Sequence, residues 1–498
     1  MGVPGLNEIL CGGLPPDRVY LVDGEPGTGK TTLGIQFLLA GRKAGEGGMY
    51  VTLSETAEEL KSTAISHGWD LDGIDVIELN ELQPRADEAY TLFHPSEVEL
   101  QETVEVVLRA IEERRPTRIV VDSLSEMRLL ARDPLRFRRQ ILSLKQFFVG
   151  RGCTALLLDD RSAPDGDMQL HSLAHGVIVL EHMALEYGAD RRRLEVRKLR
   201  GSQFVGGYHD FRICTGGLVV YPRLETGAPV DKLISRTVGS GVAELDSMLG
   251  GGLTSGTSTL VTGAAGTGKS LLCLHYGLAA AARGETVRFY LFDERIAVFR
   301  ARAQALGLPL RAAEKSGNVV LHQIEPAQMS PGEFSHLVRV AVEQEHANLV
   351  VIDSINGYLQ AMPSEKLLSL QVHELLSYLA NHNVTSILTL VQRGIFGGPV
   401  EETAEVSYLA DTVILLRYFE HAGAVRQAMS TVKKRSGRHE RTIREFRIGR
   451  GGINVGEPLN AFRGVLTGIP EYEGREEPLM PGSKDEVGPR SRGRRSNG

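Results

Sequence analysis

The chain has 498 residues, enough for about two to four domains at roughly 100–200 residues each. It is 42% hydrophobic and 24% charged with a net charge of −6, a globular balance that argues against disorder and against a protein built to coat nucleic acid. Cys11, Cys153, Cys214 and Cys273 form no C-x-x-C pair, which excludes a disulfide scaffold and a four-cysteine zinc site.

In chain order, Met1 to Gly5 carries neither a basic region nor an apolar core, so no signal peptide is expected. Val19–Val22 reads as a short strand, followed by a glycine-rich loop and a helix from Thr31 to Lys43. Met49–Leu53 is a second strand. Ser96 to Glu99 fits the S-x-x-E capping box, opening a helix whose Val104, Val107, Leu108 and Ile111 share one face. Arg118–Val121 is a buried strand ending at Asp122, and Ala155–Leu158 is another. Pro222 to Gly241 reads as a junction. Beyond it the pattern starts again: Ser330-Pro331 opens a helix with Pro at its first position, and Leu349–Ile352 leads into Asp353. The longest apolar run, Leu271 to Ala282, is interrupted by His275 and Tyr276 and falls short of the roughly 18 residues that span a bilayer. A soluble, cytoplasmic protein with no membrane association is expected. From Arg475 onward Gly, Pro, Ser and charge predict a disordered basic tail.

The second half repeats the first. Gly24-Glu25-Pro26-Gly27-Thr28-Gly29-Lys30-Thr31 recurs as Gly263-Ala264-Ala265-Gly266-Thr267-Gly268-Lys269-Ser270, an offset of 239 residues from Lys30 to Lys269. Gly12-Gly13-Leu14 matches Gly251-Gly252-Leu253, and Glu55 matches Glu294, at the same offset. From Asp122 to Asp353 the offset is 231, and from Lys198 to Lys433 it is 235. Two copies of one domain with small loop insertions follow: residues 1–230, 231–474 and a tail at 475–498. Strands alternating with helices predict an α/β fold, each copy a mostly parallel sheet with helices on both faces.

G-x-x-x-x-G-K-[ST] between a strand and a helix is the P-loop. Its backbone N–H groups wrap phosphates at the positive end of a helix. Gly24, Gly27, Thr28, Gly29, Lys30, Thr31 and Thr32 would bind ATP in the first copy. Gly263, Gly266, Thr267, Gly268, Lys269, Ser270 and Leu271 would do so in the second. Lys30 and Lys269 would reach the terminal phosphates, while Thr31 with Asp122, and Ser270 with Asp353, would hold Mg²⁺. Hydrolysis also needs a carboxylate for the attacking water. Ser54-Glu55 and Asp293-Glu294, after the second strand of each copy, are the candidates, though Ser54 and Asp293 equally suit helix N-caps. Lys198 and Arg200, and Lys433 and Arg435, occupy matching places near each copy's end. Two readings stand for them: contact with a neighbouring subunit's γ-phosphate, or a solvated basic edge.

These residues resemble the KaiC family of double-domain RecA-like ATPases. Gly12-Gly13-Leu14-Pro15, both P-loops, Ser54-Glu55-Thr56, Gly68-Trp69-Asp70-Leu71 and Lys198-Leu199-Arg200-Gly201 carry the resemblance, with Pro331-Gly332-Glu333-Phe334 in the second copy. It implies a homo-hexameric double ring with ATP at subunit interfaces, hydrolysing in the first ring and autophosphorylating in the second, and protein partners in signalling. The family's water-activating glutamate pair falls on Ser54 and Glu55, with the first glutamate missing, and on Asp293 and Glu294. Its trans-acting basic residues fall on Lys198, Arg200, Lys433 and Arg435. Its Ser-Thr phosphoacceptor pair falls on Ser407-Tyr408, leaving Ser407 as the one phosphoacceptor at that place. The alternative is a RadA- or DnaB-like nucleic-acid-dependent motor; no basic loop with interleaved aromatics supports it.

Overall fold

A computed structural model describes residues 1–79, 95–131, 133–160, 168–185, 188–225, 236–360, 365–392, 408–465 and 471–472. The chain forms two compact units, Met1–Arg223 with Ala327–His336, and Leu224–Pro326 with Leu337–Gly498.

In the first unit the strands are β1 (Val19–Gly24), β2 (Gly48–Thr52), β3 (Ile74–Glu78), β4 (Arg118–Asp122), β5 (Thr154–Asp160), β6 (Gly176–Met183), β7 (Arg191–Leu199), β8 (Tyr208–Cys214) and β9 (Gly217–Tyr221). They make one sheet in the order β3-β2-β4-β5-β1-β6-β7-β8-β9. The first six are parallel, and β7 to β9 return as an antiparallel meander. The parallel strands are near-continuous apolar runs because both faces are covered. Along β1, Tyr20 and Val22 pack with Leu33, Phe37 and Leu38 of the helix Lys30–Lys43. Val19 and Leu21 face the other way, onto Phe137, Ile141 and Leu144 of the helix Pro134–Phe148. Alternation with a period of two thus sorts one strand's side chains into two cores.

The second unit repeats the plan. A short pair, β10 (Thr237–Val238) with β11 (Leu253–Thr254), precedes β12 (Ser258–Gly263), β13 (Val287–Leu291), β14 (Val319–Gln323), β15 (Leu349–Asp353), β16 (Thr385–Val391), β17 (Thr412–His421), β18 (Ala424–Lys434), β19 (Ile443–Gly449) and β20 (Gly452–Pro458). Their order, β14-β13-β15-β16-β12-β17-β18-β19-β20, matches the first sheet strand for strand.

Two local expectations need correction. The fourth helix of the first unit spans Pro95–Arg114, so Ser96 lies inside it and not at its cap. Proline's fixed φ suits the first helical position, and it starts the helix one residue before the predicted serine. Nor do Ser54 and Asp293 cap helices. Thr56 does so for Ala57–Ser66, in a complete capping box with Glu59, and Arg295 precedes Ile296–Ala305. Elsewhere the expected Ser330 cap is present, its hydroxyl accepting from Glu333 N at 3.1 Å. Ser407 and the tail at 475–498 lie outside the described residues.

Candidate functional site

Each P-loop joins the central strand of its sheet to the following helix. Gly29 (φ 97°) and Gly268 (φ 100°) sit at the helix N-cap positions in left-handed backbone, and neither helix has a side-chain cap. A Cβ at these positions would approach Ile213 at 2.7 Å and Ile448 at 2.9 Å. Glycine is favoured at both positions by the left-handed backbone angle, and any Cβ would also oblige an isoleucine tip to shift. The uncapped N–H groups and the helix dipole favour an anion there. Gly27 (φ 77°) and Gly266 (φ 78°) turn the loops. Gly24 and Gly263 end β1 and β12, and Thr28 and Thr267 brace the loops by donating to Glu25 O (2.7 Å) and Ala264 O (2.8 Å). Thr32 and Leu271, further into the helices, are buried.

Both P-loop lysines are folded back. Lys30 Nζ donates to Gly24 O (2.8 Å) and Glu25 O (3.0 Å), and it pairs with Asp160 at 2.6 Å. Lys269 Nζ donates to Gly263 O (2.9 Å) and Ala264 O (2.7 Å), and burial pulls its pKa down. A phosphate would satisfy a desolvated ammonium better than carbonyl dipoles do.

The Mg²⁺ candidates are adjacent in the first unit, where Thr31 Oγ1 donates to Asp122 Oδ2 at 2.8 Å. Tyr50 on β2 donates to the same oxygen at 2.5 Å. Burial pushes the Asp122 carboxyl up, and the Tyr50 and Thr31 hydrogen bonds oppose that shift. The second unit holds Asp353 differently: Thr389 on β16 donates to its Oδ1, and Phe289 stands where Tyr50 does. Ser270 takes the position of Thr31. A hydroxyl and a carboxylate are hard oxygen donors that suit a small divalent cation drawing its other ligands from phosphates and water. The residues present therefore fit Mg²⁺.

Beside these, Ser54 is exposed, while Glu55 is half-buried with Oε2 lacking any partner among the described residues. Burial raises the Glu55 pKa, with Asp122 and Glu59 adding to it. Glu294 is raised by burial as well, but it is tied to Arg302 at 2.7 Å. Asp293 Oδ2 accepts from Ser354.

The basic pairs lie elsewhere. Lys198 on β7 is level with Val177 and, across β6, with Leu21. That is three residues before Gly24, about 10 Å along the strand, and Arg200 lies further the same way. Lys433 is level with Val413 and Leu260, the same distance before Gly263. Lys198 Nζ donates to His171 O (2.6 Å) and Lys433 Nζ to Ala410 O (2.7 Å). Arg200 is exposed, and Arg435, 56% exposed, pairs with Asp411 at 3.4 Å. Each pair is thus set back along the sheet from the end that carries its own P-loop. Motif reading missed Tyr50, Thr389, Ser354 and Asp160. Aligning the two repeats strand by strand exposes Tyr50, Thr389 and Asp160, which match Phe289, Leu158 and Val391 in the other copy, whereas Ser354 matches Ser123 and differs only in its partner.

Comparison with known proteins agrees with this arrangement. A family model described as a KaiC ATPase matches residues 1–225 and 238–460. The chain is 27% identical to "Circadian clock protein KaiC3" of Synechocystis sp., over 96% of this chain and 95% of that protein. It is also 27% identical to "Circadian clock oscillator protein KaiC" of Synechococcus elongatus, over 94% and 91%. The protein of that name from Parathermosynechococcus lividus is 28% identical over 94% and 87%. With a P-loop domain repeated in one strand order and family matches over both halves, the chain belongs to the KaiC family of ATPases.

Proposed function

We propose that this chain is an ATP-hydrolysing signalling protein that works as a homo-hexameric cytoplasmic ring, with Mg-ATP at each P-loop. Glu55 in the first site, and Asp293 with Glu294 in the second, handle the attacking water or hydroxyl. Lys198, Arg200, Lys433 and Arg435 serve the nucleotide of a neighbouring subunit. The observation that carries this is the position of the basic pairs, set back along the sheet from their own P-loops at matching register in both units.

The test mixes subunits. Lys30→Ala and Arg200→Ala variants, each with the second site silenced by Lys269→Ala, are slow alone. Co-assembled rings should regain turnover, because some interfaces combine an intact P-loop with an intact Arg200. A basic residue at the γ-phosphate is worth about 10³-fold or more in rate. Mixed rings no faster than either parent would refute the trans arrangement.

The second site is also proposed to phosphorylate Ser407, which lies four residues before Asp411 in sequence. The hydroxyl oxygen attacks the γ-phosphorus, the bond to the bridging oxygen breaks, ADP leaves with that electron pair, and the Ser407 proton passes to Asp293 or Glu294. Phosphate mapped to Ser407 in wild type and absent in Lys269→Ala supports the kinase step. An unmodified peptide after prolonged incubation with Mg-ATP refutes it.

A further inference from the structure

The two units share a glutamate after the second strand, Glu55 and Glu294, but differ in where they place a second acid. In the second, Asp293 follows β13 and accepts from Ser354, the residue after Asp353. In the first, Ser54 stands at that place and offers no carboxylate. Ser123, which matches Ser354, turns instead to Ser125, whose Oγ donates to Asp160 Oδ2 at 3.2 Å. Asp160 ends β5, directly across from Gly24, while the residue across from Gly263 is Val391. One site thus has a serine on the second strand and an acid on the strand beside the P-loop. The other has an acid on the second strand and a valine beside the P-loop.

Asp160 also lies where the chemistry occurs. Its Oδ1 is 2.6 Å from Lys30 Nζ, with the lysine 7% and the aspartate 33% exposed. Its charge reaches Asp122 on the neighbouring strand. A carboxylate this close to the P-loop lysine competes with a phosphate for it. A γ-phosphate that drew Lys30 away would leave Asp160 Oδ1 beside the phosphate-binding loop, with Ser125 on its other oxygen. Among the described residues, Lys269 has no such carboxylate partner.

We propose that Asp160 is the second catalytic acid of the first site, taking the place of the carboxylate that Ser54 lacks. Asp160 accepts a hydrogen bond from the attacking water and orients it. The water oxygen forms the bond to the γ-phosphorus, the bond to the bridging oxygen breaks, and ADP leaves with that electron pair. The transferred proton goes to Glu55. Because Lys30 releases Asp160 only to an incoming phosphate, the acid is available only when a nucleotide is bound. This inference rests on the ATPase reading above.

The experiment uses full-length Lys269→Ala protein, so that turnover reports the first site, and measures binding with a fluorescent mant-ATP. Asp160→Asn should lower kcat by about 10²-fold while mant-ATP binds as tightly or more tightly, since Lys30 has lost its competitor. Adding Ser54→Asp should recover at least tenfold of the loss, and Asp160→Glu should keep most of the turnover. A kcat within twofold of the parent, or tighter binding as the only change, would reduce Asp160 to a counter-ion and overturn the proposal. A parent without turnover that depends on Lys30 would instead overturn the ATPase reading, and the inference with it.

Discussion

Tyr50→Phe removes one of the two hydroxyls on Asp122 Oδ2 and little else. Tyr50 is 1% exposed, and the matching position in the second unit is already Phe289, so this strand tolerates the smaller ring. Asp122 is 7% exposed; burial raises its pKa, and the Tyr50 and Thr31 hydrogen bonds oppose that shift. A hydrogen bond to a charged group is worth about 1.5–3 kcal/mol. Thr31 remains at 2.8 Å, so the loss should fall near the lower limit, about 1.5 kcal/mol, which is roughly tenfold in an equilibrium constant. The ionised carboxylate that meets Mg²⁺ becomes less favoured by that factor. In the Lys269→Ala background, the Mg²⁺ concentration giving half-maximal ATP turnover should rise as the pH is lowered through the Asp122 pKa, approaching about tenfold below it, with little change at saturating Mg²⁺. Identical Mg²⁺ titrations for a folded Tyr50→Phe protein and its parent would show that this hydroxyl does not tune the metal site.

Further outcomes follow from the same geometry. First-site turnover should decline on acidification through a pKa above the ordinary glutamate value, because burial and Asp122 raise Glu55 and only its ionised form accepts a proton; Glu55→Gln should abolish that acidic limb along with most of the rate. An acid whose pKa is higher folded than unfolded costs stability above its unfolded pKa and nothing well below it. Glu55→Gln should therefore raise the melting temperature of nucleotide-free protein at pH 8 and leave it unchanged at pH 3, as calorimetry can check. Thr56→Ala deletes a complete capping box and should cost about 1 kcal/mol, seen as a shifted urea midpoint with kcat unchanged. Lys30→Ala should shift assemblies toward monomer in Mg-ATP by native mass measurement, because phosphates brought to a subunit interface lose their neutralising ammonium; equal hexamer content would contradict this.

Much of the fold is legible in sequence because its signals are local. The P-loop spacing marks a strand, a positive-φ glycine and a helix start, and runs such as Arg118 to Asp122 can only be strands buried on both faces. Repeating those signals at a near-constant offset also fixes the number of domains. The finer site is less legible because its groups converge from separate strands. Tyr50 and Asp122 are 72 residues apart, and Lys30 and Asp160 meet only because β5 lies beside β1. Nothing in the local pattern of Leu157-Leu158-Asp159-Asp160 distinguishes a strand end from an acid aimed at a P-loop lysine. The Asp293 helix-cap reading fails because its carboxylate accepts from Ser354 instead, and the Ser54 reading fails to a stronger cap nearby. Thr56 wins the cap because Glu59 three residues on completes the reciprocal pair, leaving the preceding residues free to face the site.

Both P-loops are expected to turn over ATP. Steady-state phosphate release from purified wild type, Lys30→Ala, Lys269→Ala and the double variant, with and without single-stranded DNA, tests it most directly. Each single variant should lose part of the wild-type rate, the double variant should fall to background, and DNA should change none of the four. Full turnover in the double variant, or turnover that appears only with DNA, would contradict the claim.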